Sequence, residues 1–130
     1  MAADVILLDT HVVVWLYAGE RNRFPQGARQ LIEDSDLAVS PIVEVELAYL
    51  NEIGRVKESA ASILGDLGAR LGLVVAQIPF GQVCAEVVDL TWTRDPFDRL
   101  QSAHAIAKDF PLLTKDTVIR EHLRLATWPD

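Results

Sequence analysis

Val5-Ile6-Leu7-Leu8-Asp9-Thr10 is the stretch that decides the fold. Four consecutive apolar residues between polar neighbours are typical of a strand buried on both faces, as in a parallel sheet. The run ends on the carboxylate of Asp9, and ligands of open α/β sheets bind beyond the carboxyl ends of the strands. A carboxylate at the end of a buried strand also needs a compensating partner. We therefore expect Asp9 to mark a functional site.

The composition predicts one globular domain over residues 1–130. Half of the residues are hydrophobic, and no apolar run approaches the roughly 20 residues of a membrane-spanning helix. The start, Met1-Ala2-Ala3-Asp4, lacks the basic segment of a signal peptide, and a single cysteine, Cys84, excludes an internal disulfide. These features together predict a cytoplasmic protein.

The net charge argues against binding nucleic acid by bulk electrostatics. The chain carries 12 basic and 19 acidic residues, a net charge of −7. Two explanations stay open at this point. Either the partner is not nucleic acid, or some of the acids form a metal site whose cation reverses the local field.

Short apolar runs alternate with helical patterns along the chain. This alternation predicts βα units and a parallel sheet, and hence the α/β class. Ser40-Pro41 and Asp95-Pro96 each combine an N-cap with a proline at the first helical position. The predicted strands are Val5–Leu8, Leu37–Val39, Leu73–Ile78, Leu112–Leu113 and Leu125–Trp128. The predicted helices are Thr10–Ala18, Pro25–Ile32, Pro41–Ile53, Ser59–Leu71, Pro79–Trp92, Pro96–Lys108 and Thr117–Leu123. Thr10 is expected to cap the first of these helices.

Five acids fall at strand ends or near helix starts, which lie on the same edge of an α/β sheet: Asp9, Glu46, Asp95, Asp98 and Asp116. Clustered carboxylates repel one another, and a hard cation such as Mg²⁺ or Mn²⁺ removes that penalty. Such a site suits metal-assisted hydrolysis of a phosphodiester. Each of the last three acids also has a simpler interpretation, as a helix cap or as a charge that complements a helix dipole.

Glu44 and Glu46 cannot both face this site, because they lie about 200° apart around one helix. Glu46 borders the inward stripe of Val43, Leu47 and Leu50, whereas Glu44 lies away from it. Glu46 is therefore the candidate, and Glu44 is interpreted as a surface acid.

Other chemistries have weaker support. The histidines lack the spacing of a zinc site and are interpreted as surface or core-edge residues: His11, His104 and His122. Cys84 lies among valines and is interpreted as a small core residue. The tryptophans are typical of core or interface positions: Trp15, Trp92 and Trp128.

Four blocks of the sequence together resemble the PIN-domain ribonucleases, above all the VapC toxins of bacterial toxin–antitoxin pairs. They occur in the family's order over nearly the whole chain, and the last two are the specific part. The blocks are Leu7-Leu8-Asp9-Thr10-His11-Val12, Ser40-Pro41 leading to Glu46-Leu47-Ala48, Arg94-Asp95-Pro96-Phe97-Asp98-Arg99-Leu100, and Leu112-Leu113-Thr114-Lys115-Asp116.

The resemblance implies a three-layer α/β/α sandwich and endonucleolytic cleavage of RNA by a metal-activated water, leaving a 5′-phosphate and a 3′-hydroxyl. It implies a homodimer, inhibition by a VapB-like antitoxin and a larger assembly with that antitoxin. It also implies that four acids share Mg²⁺ or Mn²⁺, supported by two threonines. The acids are Asp9, Glu46, Asp98 and Asp116, and the threonines are Thr10 and Thr114.

Two further residues of the third block are expected near the site. Asp95 is expected to cap its helix and to act as a supporting acid. Arg99 is expected to pair with an acid or to contact an RNA phosphate. Nine basic residues in all are candidates for RNA contacts: Arg21, Arg23, Arg55, Lys57, Arg94, Arg99, Lys115, Arg120 and Arg124.

The sequence departs from the family pattern in three places. Val45 stands where a tryptophan is common, Thr93 where a histidine is common, and Ala103-His104-Ala105 where Ala-Gln-Ala is common. None of these departures removes a predicted metal ligand. They affect the expected substrate contacts and fine positioning.

Two rival functions stay open. The chain can be a catalytically silent PIN-like module that binds other proteins, although its acid set is intact. It can also be a phosphatase with Asp9 as nucleophile. The familiar phosphatase motif has a second aspartate two residues later, where this chain has His11.

Overall fold

A computed structural model describes residues 4–130, so the expectation about the start of the chain falls on Met1–Ala3, outside the described residues. Within that range no helix has the length and apolar character needed to cross a membrane.

The structure contains the predicted strands and helices, most of them with changed bounds, and one further 3-10 turn at Arg21–Arg23 that was not predicted. The strands are β1 Val5–Leu8, β2 Asp36–Val39, β3 Val74–Val75, β4 Leu112–Leu113 and β5 Ala126–Thr127. The helices are α1 Thr10–Ala18, α2 Gln26–Asp34, α3 Pro41–Glu52, α4 Ala60–Leu71, α5 Phe80–Val87, α6 Pro96–Lys108 and α7 Thr117–His122.

The five strands form one parallel sheet in the order β3-β2-β1-β4-β5, with β1 in the centre. Alternate residues of β1 enter different clusters of the core. Ile6 and Leu8 pack with residues of α1, α3 and α4, whereas Leu7 packs with Ala105 of α6 and Ile119 of α7. The sheet is therefore covered on both faces, which explains the unbroken apolar run. The predicted three-layer α/β/α sandwich is confirmed.

The strand register brings distant residues to one edge of the sheet. Leu8 pairs with Leu113, and the N–H of Asp9 donates to the carbonyl of Leu113 at 3.0 Å. Asp9 and Thr114 consequently follow neighbouring strand ends. Because parallel strands end together, the helices that follow them also begin at this edge.

Two predicted helix caps differ in the structure. Asp9, not Thr10, is the N-cap of α1, and its side chain accepts from the N–H of Thr10. Ser40 precedes α3 as predicted, but its hydroxyl makes no cap bond and instead lies 2.8 Å from Nδ1 of His104. That contact also corrects the placement of His104, which is completely buried rather than at the core edge.

The region between α4 and α6 contains the largest errors of the prediction. The strand predicted over 73–78 is shorter in the structure, where β3 has only two residues. The last backbone hydrogen bond from this segment to the sheet joins the N–H of Ala76 to the carbonyl of Val39. The helix predicted to reach Trp92 ends at Val87. Cys84 is exposed, not a core residue, because α5 buries a narrow stripe around Val83.

Two glycines of the α4 region provide a test of backbone conformation alone. Gly65 lies inside α4, and Gly72 caps its end with φ +73°; a Cβ at either position would have open space. Gly65→Ala should raise the free energy of unfolding by about 0.5–1 kcal/mol, since alanine favours the helix. Gly72→Ala should lower it by about 1–2 kcal/mol, because the left-handed conformation is costly for other residues. Urea denaturation measures both, and equal effects would contradict the assigned helix end.

Candidate active site

A cavity of about 520 Å³ opens at the carboxyl edge of the sheet. It is lined by acids from four separate parts of the chain: Asp9 after β1, Glu46 in α3, Asp98 in α6 and Asp116 before α7. All four acids predicted from the sequence therefore border one space. Glu44 is exposed, as predicted.

Asp9 is fixed from both sides. It is only 4% exposed, and its two carboxylate oxygens accept from the N–H of Thr10 and from the hydroxyl of Thr114, each at 2.7 Å. The same Thr114 hydroxyl accepts from the N–H of Asp116 at 3.1 Å. Thr114 thus connects two of the acids, and the burial of Asp9 is compensated by hydrogen bonds.

Glu46 is held by two polar side chains. The Thr10 hydroxyl donates to Glu46 Oε1 at 2.5 Å, and Gln101 Nε2 lies 3.3 Å from Thr10 Oγ1 and 3.4 Å from Glu46 Oε1. Burial raises the pKa of Glu46, although the bond from Thr10 opposes that shift. Gln101 was missed in the sequence. The sequence did contain one indication of its role. Gln101 lies three residues after Asp98, so both side chains lie on one face of α6.

Asp98 carries the largest perturbation of the site. Its pKa is raised from 3.8 to about 7. Burial is the first cause, followed by the negative charges of the surrounding acids: Asp95, Asp9, Asp116 and Glu46. The four cavity acids therefore act on one another electrostatically.

The simpler interpretation as helix caps also holds for two acids. Asp95 accepts from the N–H groups of Phe97 and Asp98 at 2.8 and 3.1 Å, and Asp116 accepts from the N–H of Ile119 at 3.0 Å. Asp116 both caps α7 and lines the cavity. Asp95 caps α6 and acts on Asp98 through its charge, without lining the cavity.

Within the described part of the chain, Arg99 does not make the predicted ion pair with an acid, and its contact with an RNA phosphate stays a prediction. Its guanidinium donates to the carbonyl of Val87 at 2.9 Å, at the end of α5. It does not line the acid cavity, and it makes no ion pair with any residue of the described range 4–130. Arg99 therefore holds α5 against α6.

His11 is half-buried and lines the cavity, so of its two predicted placements the core edge fits better than the surface. Its Nε2 accepts from the N–H of Lys115 at 3.0 Å, and its Nδ1 lies 3.4 Å from Asp9 Oδ2. Burial is the main cause that lowers the pKa of His11. The acceptor role of Nε2 assigns the proton of the neutral ring to Nδ1, which faces the carboxylate. The ring also packs on Trp15, with 4.8 Å between centroids.

The donor set of the cavity suits a hard cation, because the acids offer carboxylate oxygens. The raised pKa of Asp98 indicates negative charge that a cation would neutralise. The spacing is wider than a ligand set requires. Within residues 4–130 no three His, Cys, Asp or Glu side chains stand close enough to hold one ion. The fit is thus one of chemistry and charge.

The chain matches the PIN domain family over residues 6–123. It is 36% identical over 120 residues to Ribonuclease VapC22 of Mycobacterium tuberculosis strain H37Rv, covering 90% of this chain and 91% of that protein. The fold is similar to that of VapBC2 from Rickettsia felis, solved with a DNA fragment from the promoter, with TM-score 0.66 and 21% identity over 94% and 95% of the two chains. It is also similar to VapBC-1 from nontypeable Haemophilus influenzae, with TM-score 0.59 and 17% identity over 97% of each chain.

The fold and the family match define a PIN-domain protein, and the chain belongs to that family. Within the family, its identity to VapC22 over nine-tenths of both proteins places it in the VapC group. The resemblance read from the four sequence blocks is confirmed.

Removing the charge of Asp98 should stabilise the metal-free protein. A carboxyl whose pKa rises from 3.8 unfolded to about 7 folded makes the folded state lose stability as pH rises through that window. In EDTA, Asp98→Asn should therefore melt a few degrees above wild type at pH 8, and the difference should shrink towards pH 4. The exposed Asp89, outside the cavity, provides the control Asp89→Asn. Scanning calorimetry measures both; a pH-independent difference would contradict the electrostatic origin.

Proposed function

We propose that this protein is a Mg²⁺- or Mn²⁺-dependent endoribonuclease, the toxin of a VapBC-type toxin–antitoxin pair. The observation that carries the proposal is the convergence of four acids on one cavity in a member of the VapC group. PIN-domain ribonucleases are generally dependent on divalent metal ions. Asp9, Glu46, Asp98 and Asp116 would hold the cation.

The reaction we propose is hydrolysis of an RNA phosphodiester. A water oxygen attacks phosphorus, the bond from phosphorus to the 3′ oxygen breaks, and that oxygen leaves with a proton as the 3′-hydroxyl. The products are a 5′-phosphate and a 3′-hydroxyl. A bound divalent cation supplies acidification of the water and stabilisation of charge on the phosphoryl oxygens.

The residues around the acids serve as positioning groups in this proposal. Thr114 holds Asp9 and the backbone of Asp116, so it fixes the spacing of two carboxylates. Thr10 and Gln101 hold Glu46. Preorganised ligands reduce the cost of assembling a reactive geometry.

The proposed partners are an RNA substrate, a second copy of the chain and a VapB-like antitoxin. The named relative is a ribonuclease, and the two solved neighbours are VapBC proteins. An antitoxin with an Arg or Lys side chain that enters the acid cavity would block it, because that cation would replace the metal's charge.

A catalytically silent PIN-like binding module is the second candidate. One observation favours this binding function. Within residues 4–130 no three carboxylates lie close enough together to bind one metal ion. A purified protein that binds Mn²⁺ yet cuts no RNA would support this alternative over the nuclease.

Loss of single cavity carboxylates should abolish RNA cleavage without unfolding the protein. Asp9→Asn and Asp98→Asn should each lower kcat at least a hundredfold, because each removes a proposed ligand. Gel assays of RNA cleavage in Mn²⁺ measure activity, and circular dichroism measures folding. Full activity of either variant, or of wild type in excess EDTA, would overturn the mechanism.

The two glutamates of α3 provide a matched pair. Glu46 lines the cavity and Glu44 is exposed on the same helix, so each can be changed to glutamine. Glu46→Gln should weaken Mn²⁺ binding roughly ten- to a hundredfold, as judged by calorimetric titration, whereas Glu44→Gln should bind as wild type. Equal affinities for both variants would remove Glu46 from the proposed ligand set.

A further inference from the structure

The acid cavity is the middle of a longer groove. A cavity of about 420 Å³ adjoins it on one side and shares His11, Trp15 and Asp116 as walls. A cavity of about 290 Å³ adjoins it on the other side and shares Val14, Arg55 and Val56. The three spaces follow one another, so a chain-like ligand that enters the acid cavity has room to extend in both directions.

Each end of this groove carries a cation. Lys115 lines one end, with its Nζ 5.9 Å from the centre of the Trp15 ring. Arg55 lines the other end, together with Lys57, in the connection between α3 and α4. Within residues 4–130 neither Arg55 nor Lys115 forms an ion pair. Both are therefore available to an anion.

A third cation, Arg23, lies over the same Trp15 ring but lines none of the three cavities. The guanidinium of Arg23 lies 4.8 Å from the centre of the Trp15 ring, but its Nε is paired with Glu20 at 2.7 Å. Because Arg23 is already paired with Glu20 and Lys115 lines the groove, Lys115 is the stronger candidate.

We propose that Arg55 and Lys115 bind the RNA phosphates on either side of the phosphate that is cut. The inference rests on the proposed function and specifies how its substrate is held. Along the groove, Lys115 lies on one side of the four acids, and Arg55 lies on the other side, with Lys57 and Glu58 beyond it. Such an order fits a strand whose central phosphate meets a cation held by the acids while its flanking phosphates meet side-chain cations.

This arrangement also explains how a chain with net charge −7 can hold RNA. Two cations placed at the ends of the groove act directly on flanking phosphates, whereas distant surface acids are screened by salt. Backbone contacts of this kind position the strand without reading its sequence.

The test measures RNA binding separately from cleavage. The probe is a fluorescein-labelled single-stranded RNA of roughly 12 nucleotides and mixed sequence, bound in Mg²⁺ by the Asp98→Asn protein. On that background, Arg55→Gln and Lys115→Gln should each raise Kd roughly tenfold, as expected for a lost bond to a charged group. Each should also reduce the slope of log Kd against log salt by about 0.7.

Lys108→Gln is the matched control. Lys108 is exposed at the far end of α6, about 18 Å along the helix from Pro96 beside the site, and it has the same charge. If Arg55→Gln and Lys115→Gln bind like Lys108→Gln, the inference is wrong, even where wild type cuts RNA. If wild type cuts no RNA yet the two groove variants lose binding, the proposed function fails and the groove assignment stands.

Discussion

The pairing of β1 with β4 is the constraint on which the site depends. The register that sets Leu8 against Leu113 puts Asp9 and Thr114 side by side, and their hydrogen bond follows from that placement. A shift of one residue between the two strands would reverse the faces of the β4 side chains and take the Thr114 hydroxyl away from Asp9. The core and the site are therefore specified by the same strand pairing, because the leucines that bury the sheet also set the spacing of the polar residues that follow them.

Concentrated negative charge is the second organising feature. Four carboxylates around one cavity would repel one another, and the structure relieves part of that cost locally. Asp9 and Glu46 accept hydrogen bonds from threonine hydroxyls. Burial and the negative charges of the surrounding acids instead raise the pKa of Asp98 to about 7. Clusters of carboxylates with strongly raised pKa values are common at functional sites. A surface with only a structural role could use residues that do not repel one another.

Local rules predicted the fold class and five candidate acids, whereas the choice of four among them came from the resemblance to PIN-domain ribonucleases. Strand ends and proline-marked helix starts predicted where Asp9 and Asp98 would lie. The errors concern residues whose positions depend on how one helix packs on another. Arg99 points to the end of α5, Cys84 is exposed and Ser40 contacts His104, and none of these follows from local spacing. Gln101 was recognisable in principle, since it shares a helix face with Asp98, but a lone glutamine carries no strong chemical signal.

The short outer strands have a consequence for how this protein can be recognised. β3 and β5 are two residues long each, and they are the edges of the sheet. So brief an edge offers few backbone groups for a further strand, which protects the protein from edge-to-edge aggregation. It also limits recognition by strand addition, in which an extended peptide binds mainly through its main chain. A protein ligand must instead be recognised mainly through side-chain contacts, so its selection depends on surface shape and charge.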